Sequence, residues 1–175
     1  MSDLDRNTLL AKAKAIFCRG MAMGYASGAK GTPVPGKPNA KYFEHIEGEG
    51  DWYLRDEYEV DPVTGISYGT TRIEYKGRLI WIMSYGGLYS QEAIACLKGA
   101  LLASYAAGEF NLGRGKHNHV HGDYIYINVM SQGHSVDPFE KFMGMEGVSR
   151  PKRSPSSNPA LEKVGGHWFW GMAMI

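Results

Sequence analysis

Between Asp51 and Val60 the chain alternates without a break. Trp52, Leu54, Asp56, Tyr58 and Val60 share one face of an extended segment, and Asp51, Tyr53, Arg55, Glu57 and Glu59 share the other. The first face is inward by content, and it sets Asp56 between Leu54 and Tyr58. A carboxylate in that place costs on the order of several kcal/mol unless it is paired or hydrogen-bonded. Any fold for this chain has to provide for Asp56.

The strand opens a longer unit, Gly50 to Gly87. Asp61-Pro62-Val63-Thr64-Gly65 reads as a turn. Ile66 to Lys76 returns, with Ile66, Tyr68, Thr70, Arg72 and Glu74 on one side and Ile73 and Tyr75 on the other. Lys76-Gly77 turns the chain again into Arg78 to Tyr85. There Leu79, Trp81, Met83 and Tyr85 alternate with Ile80, Ile82 and Ser84, so both faces are apolar and the pattern predicts a central strand covered on both sides.

Around this unit the sequence predicts a helix from about residue 3 to 19, capped by Asp3, with Leu9, Leu10, Ala13, Ile16, Phe17 and Met21 on one face. Gly28 to Asn39 reads as a loop, Lys41 to Ile46 as a short strand, and Ser90 as the cap of a second helix over residues 90–107. Residues 108–122 read as a loop and Asp123 to Met130 as a strand. Residues 137–148 suit a short helix or an irregular strand, and 149–166 a mobile excursion. Gly166 to Ile175 closes the chain as an apolar strand, docked in the sheet or against another subunit.

Two segments, at about 48–87 and 122–175, follow one pattern. Gly50-Asp51-Trp52 matches Gly122-Asp123-Tyr124, and Asp61-Pro62 matches Asp137-Pro138. Tyr68-Gly69, shortly before Ile73, matches Met143-Gly144 before Val148, and Trp81 is set opposite Trp168. The expected architecture is therefore a single α+β domain over residues 1–175. Its curved antiparallel sheet is built from two pseudo-repeated three-stranded units, with an N-terminal helix and a central connecting helix.

The series Tyr25-Ala26, Gly50-Asp51-Trp52-Tyr53 with Asp56 and Tyr58, Tyr68-Gly69, and Ile80-Trp81-x-Met83-x-Tyr85-x-Gly87 resembles a bacterial family, domain of unknown function 5680. The likeness runs over residues 15–175 and takes in Gly122-Asp123-Tyr124 and Phe142-x-Gly144. Members occur as stand-alone chains and behind a helix-turn-helix domain in Xre-type regulators, which implies a sensing or interaction module. The chain departs from the family pattern after Tyr68-Gly69, where Thr70-Thr71 and Arg72 replace an acidic pair.

Charge excludes some functions. With 19 basic and 18 acidic residues the net charge is +1, and no overall field favours nucleic acid or membrane. The two cysteines, Cys18 and Cys96, sit in helical segments as small hydrophobes, and too few are present for a disulfide framework. No signal peptide or membrane-spanning run is present, which points to a cytoplasmic protein.

Asp56 leads the candidate site residues, satisfied by tyrosine hydroxyls or Arg72, or raised in pKa toward proton transfer. Tyr58, Tyr68, Arg72, Trp81, Tyr85 and Asn128 are the candidates to share a ligand pocket with it. His117, His119 and His121 fall on one side of an extended segment, about 7 Å apart. They form a possible facial set for a divalent metal, completed by Asp123, His134 or His167; a merely polar loop reads the same way. No cofactor is otherwise predicted. Three readings follow: a module binding a small molecule or protein partner in an aromatic-lined concavity, a metal-dependent hydrolase-like enzyme, and a homodimer closed by the C-terminal strand.

Overall fold

The computed structural model describes residues 5–130, 137–152 and 160–175. Helix α1 covers Arg6–Met23 and is capped by Asp5, whose carboxylate accepts the Thr8 N–H at 3.0 Å and the Thr8 hydroxyl at 2.7 Å. Asp3 lies outside the described residues. The predicted face of α1 is the buried one, from Leu9 through Phe17 to Met21.

Among the described residues nine antiparallel strands form one open sheet. In chain order they are β1 Thr32–Val34, β2 Lys37–Glu47, β3 Trp52–Val60, β4 Ser67–Tyr75, β5 Arg78–Tyr89, β6 Asn118–His121, β7 Tyr124–Met130, β8 Lys141–Pro151 and β9 Leu161–Ala173. Helix α2, Ile94–Ala106, joins β5 to β6. The spatial order is β1-β2-β3-β4-β5-β9-β8-β7-β6. Both helices pack on one face, α1 over β2, β3 and β5 and α2 over β6 and β7. No helix is long and apolar enough to cross a membrane among the described residues.

Several boundaries differ from the sequence reading. The glycine- and proline-rich loop holds β1 and the start of β2, and the loop over residues 108–122 holds β6. Residues 137–148 supply most of β8, and the excursion after Ser149 is short because β8 continues to Pro151 and β9 begins at Leu161. Backbone pairing with a neighbour overrides weak local propensity in each case. The second helix opens with a 3-10 turn at Gln91–Ala93, and the Ser90 hydroxyl caps nothing.

From the β5–β9 junction the order reads outward alike in both directions, β5-β4-β3-β2 and β9-β8-β7-β6. Each side of that junction has a bulge. β5 carries a bulge at Ile80, between the pairs Ile73↔Trp81 and Glu74↔Leu79, and β9 one at Val164, between Val148↔Gly165 and Ser149↔Lys163. The two bulge carbonyls are tied reciprocally: Ile80 O accepts from Met174 N at 2.8 Å and Val164 O from Ser90 N at 3.0 Å. Gly69 faces Tyr85 as Gly144 faces Phe169. Trp81 and Trp168, matched in sequence, do not correspond: Trp81 is fully buried on the helix-bearing face and Trp168 is exposed on the other.

The bulge also corrects the reading of β5. Ile80 and Trp81 are adjacent and both fully buried, which plain alternation forbids, while Ile82 and Ser84 are only half-buried on the outer face. Trp81 stacks on Phe139 with centroids 5.1 Å apart, meets Phe17 edge-on at 5.1 Å, and donates its indole N–H to Phe139 O at 2.8 Å. It is the centre of the core.

Candidate functional site

Asp56 is 3 % exposed on β3, opposite Thr71 of β4. Its Oδ1 accepts the Thr71 hydroxyl at 2.7 Å and the Tyr85 phenol at 2.9 Å. Tyr85 comes from β5, a strand further on, and reaches Asp56 by lying over Gly69. A Cβ at Gly69 would stand 2.5 Å from the Tyr85 ring. Among the described residues Asp56 forms no ion pair, and Oδ2 has no hydrogen-bond partner. Burial pushes its pKa above the ordinary carboxylate value, against the pull of those two hydroxyls and of Arg114.

Beside it lies a cavity of about 360 Å³. Its polar wall carries Asp56, Ser67, Arg114 and His167, and its tyrosines are Tyr25, Tyr58, Tyr85, Tyr89 and Tyr105. Met21, Ile94, Leu97 and Leu101 of the two helices form the apolar side. Val60, Gly65 and Gln91 are exposed and mark the mouth, between the β3–β4 turn and the start of α2. The turn is built by Asp61, whose side chain accepts from the N–H groups of Val63 and Thr64 at 3.0 and 2.7 Å.

The far wall is a buried polar cluster. Arg114, 4 % exposed, donates from Nε at 3.0 Å and Nη2 at 2.5 Å to Glu146 Oε1. Tyr126 donates to Glu146 Oε2 at 2.5 Å and accepts from Gly115 N at 3.0 Å. Arg114 and these hydrogen bonds hold the Glu146 carboxyl below its ordinary pKa despite full burial. The guanidinium lies 4.8 Å over the Tyr85 ring, which ties the cluster to the Asp56 side.

Ser67, His167 and Glu146 have the outline of a nucleophilic triad: Ser67 Oγ is 3.0 Å from His167 Nε2, and His167 Nδ1 is 3.6 Å from Glu146 Oε1. The surrounding donors oppose the proton arrangement a triad needs. Arg114 Nη2, which only donates, lies 3.4 Å from Nδ1 and favours the tautomer with Nδ1 as acceptor and the proton on Nε2. Ser67 in turn donates to Gly87 O at 3.4 Å. In that tautomer His167 donates to Ser67 instead of taking its proton. Burial and the neighbouring Arg114 bring the His167 pKa to about 4, so the imidazole is neutral at physiological pH.

The sequence candidates divide. Asp56, Tyr58 and Tyr85 line the cavity. Tyr68 and Arg72 do not: the register pairs Asp56 with Thr71 and Tyr58 with Gly69, which turns both outward. There they border a depression in which Glu57 pairs with Lys37 at 3.0 Å and with Arg55 at 2.8 Å. Trp81 belongs to the core. Asn128 is buried away from the cavity, donating to Asn111 O and Gly115 O at 2.9 Å each, and so holds the segment that carries Arg114.

The histidines do not converge. His117 Nδ1 is 2.7 Å from Asn128 O, His119 packs against Gly99 of α2, and His121 is exposed. His134 lies outside the described residues. Among those described, no three His, Cys, Asp or Glu side chains are placed to hold a metal ion.

Arg114, Glu146, Tyr25, Tyr89 and Tyr105 were not site candidates from sequence, and His167 was one only as a completing ligand for the histidine set. One signal was present: Phe142, Gly144, Glu146 and Val148 share one parity, which marks Glu146 as inward once β8 is read as a strand. Comparison with protein-family models, curated proteins and solved structures finds no match for this chain.

Proposed function

We propose that the protein binds a small molecule in the cavity beside Asp56. The observation that carries this reading is a buried carboxylate with one oxygen satisfied by Thr71 and Tyr85 and the other left to a cavity of about 360 Å³. That volume is at the small end of the range for ligand sites, and apolar walls with a few converging polar groups are their usual composition. The resemblance to domain of unknown function 5680 supports the same reading, that of a sensing module in a bacterial cytoplasm. Thermal-shift screening of a chemically mixed set of small molecules tests it. Stabilisers are expected for the wild type and not for Ala26→Leu, which fills the cavity from its wall; stabilisers that act equally on both contradict it.

One observation favours a second, compatible reading, an interaction with a protein or with a second copy. Trp168 and Trp170 of β9, Met143 of β8 and Ile127 and Val129 of β7 form a contiguous exposed apolar stripe on the outer face. The C-terminal strand itself does not offer an edge, because β9 is paired on both sides, with β5 and β8. Light scattering of Trp168→Ser/Trp170→Ser against wild type tests it: a smaller particle is expected, and an unchanged one contradicts it.

A further inference from the structure

The charges around the cavity balance except at one place. Arg114 gives Nε and Nη2 to Glu146, so that pair is neutral together. The pKa of His167 at about 4 leaves it uncharged at neutral pH. Tyr25, Tyr58, Tyr85, Tyr89 and Tyr105 are phenols whose pKa values burial raises. Asp56 remains, with two hydroxyl donors on Oδ1 and no cation of its own among the described residues. A carboxylate so placed is unfavourable unless a positive charge is brought to it.

The surroundings suit such a charge. Tyr58 follows Asp56 by two positions on the same face of β3 and meets Tyr25 edge-on at 5.7 Å, and the Tyr85 phenol is already hydrogen-bonded to the carboxylate. Tyrosine faces attract cations through their quadrupole, and a desolvated site strengthens the attraction. Leu97, Leu101, Ile94 and Met21 on the helix side provide for an apolar body.

We propose that the ligand is a small organic ammonium compound, its cation against Asp56 Oδ2 among the tyrosine rings and its apolar body against α1 and α2. This rests on the cavity being a ligand site and names the class of ligand. An anionic ligand would set its charge against the like charge of Asp56, and a neutral one would bring no counter-charge to that carboxylate.

Titration calorimetry with three isosteric probes tests the class: phenethylammonium, 2-phenylethanol and phenylacetate, on wild type and Asp56→Asn. Phenethylammonium is expected to bind wild type at least tenfold more tightly than 2-phenylethanol. That preference disappears in Asp56→Asn, whose amide oxygen still serves Thr71 and Tyr85. The ammonium affinity should also rise with pH as Asp56 ionises. Equal or tighter binding of phenylacetate or 2-phenylethanol by wild type overturns the class and leaves the ligand site standing; that comparison needs no variant. Failure of all three probes to bind wild type at millimolar concentration overturns both.

Discussion

Tyr85 donates its phenolic proton to Asp56 Oδ1 at 2.9 Å although the two residues stand on strands separated by β4. The bond exists because Gly69 leaves the surface of β4 bare under the ring, where a Cβ would approach to 2.5 Å. Tyr68-Gly69 in the sequence is thus half of the device that shapes the Asp56 site.

Gly69→Ala should push the Tyr85 ring away and sever its bond to Asp56. Overpacking of this kind costs about 1–3 kcal/mol, and the loss should shrink in a Tyr85→Phe background, where the bond is already gone. Urea unfolding of the two single variants and the double variant reads the coupling directly. Additive losses would contradict the arrangement.

Breaking the buried Arg114–Glu146 pair from one side leaves a charge without a partner. Arg114→Met should cost about 3–5 kcal/mol. Arg114→Met combined with Glu146→Leu should recover most of that loss, since no buried charge then remains. Denaturant midpoints for the single and double variants check it.

His167 makes stability fall in acid. Its folded pKa, about 4, is below the unfolded value of 6.5, so the unfolded chain binds more protons between those limits. Stability should be lost as pH falls from 6.5 toward 4, by about 3 kcal/mol in all. Tm measured through that window should fall more steeply for wild type than for His167→Gln.

The two tryptophans matched in sequence should behave oppositely. Trp81→Ala opens the core beside Phe17 and Phe139 and should cost about 3–5 kcal/mol, whereas Trp168→Ser, at 61 % exposure, should stay near ±0.5 kcal/mol in the monomer. Differential scanning calorimetry of both variants settles the comparison.

The inward face of β3 was legible because its alternation is unbroken, and the face of α1 because Leu9 to Met21 recur at helical spacing. The α+β architecture followed from these two periods and from the turn residues between them. Tyr68 and Arg72 were set beside Asp56 from the sequence, and only the pairing partner of Asp56, Thr71, shows that they face away. Cross-strand register is a property of two segments together and is not written in either alone. The Ile80 bulge breaks the alternation that predicts a two-sided strand. Arg114 lay in a segment that reads as loop, and its meaning depends on Glu146 and His167, which are distant in sequence.

Whether Asp56 serves the fold or a bound molecule is measured most directly by the unfolding free energy of Asp56→Asn without ligand. Asp56 has a raised folded pKa, so the protein loses stability as pH climbs from 3.8 through that raised value. The amide keeps an acceptor for Thr71 and Tyr85 and removes the charge. At pH 7 the variant should be as stable as wild type or more so, with the difference vanishing below pH 3.8. A loss of about 2 kcal/mol or more at pH 7, the size of charged hydrogen bonds given up, would show that the carboxylate is there for the fold and would contradict this account.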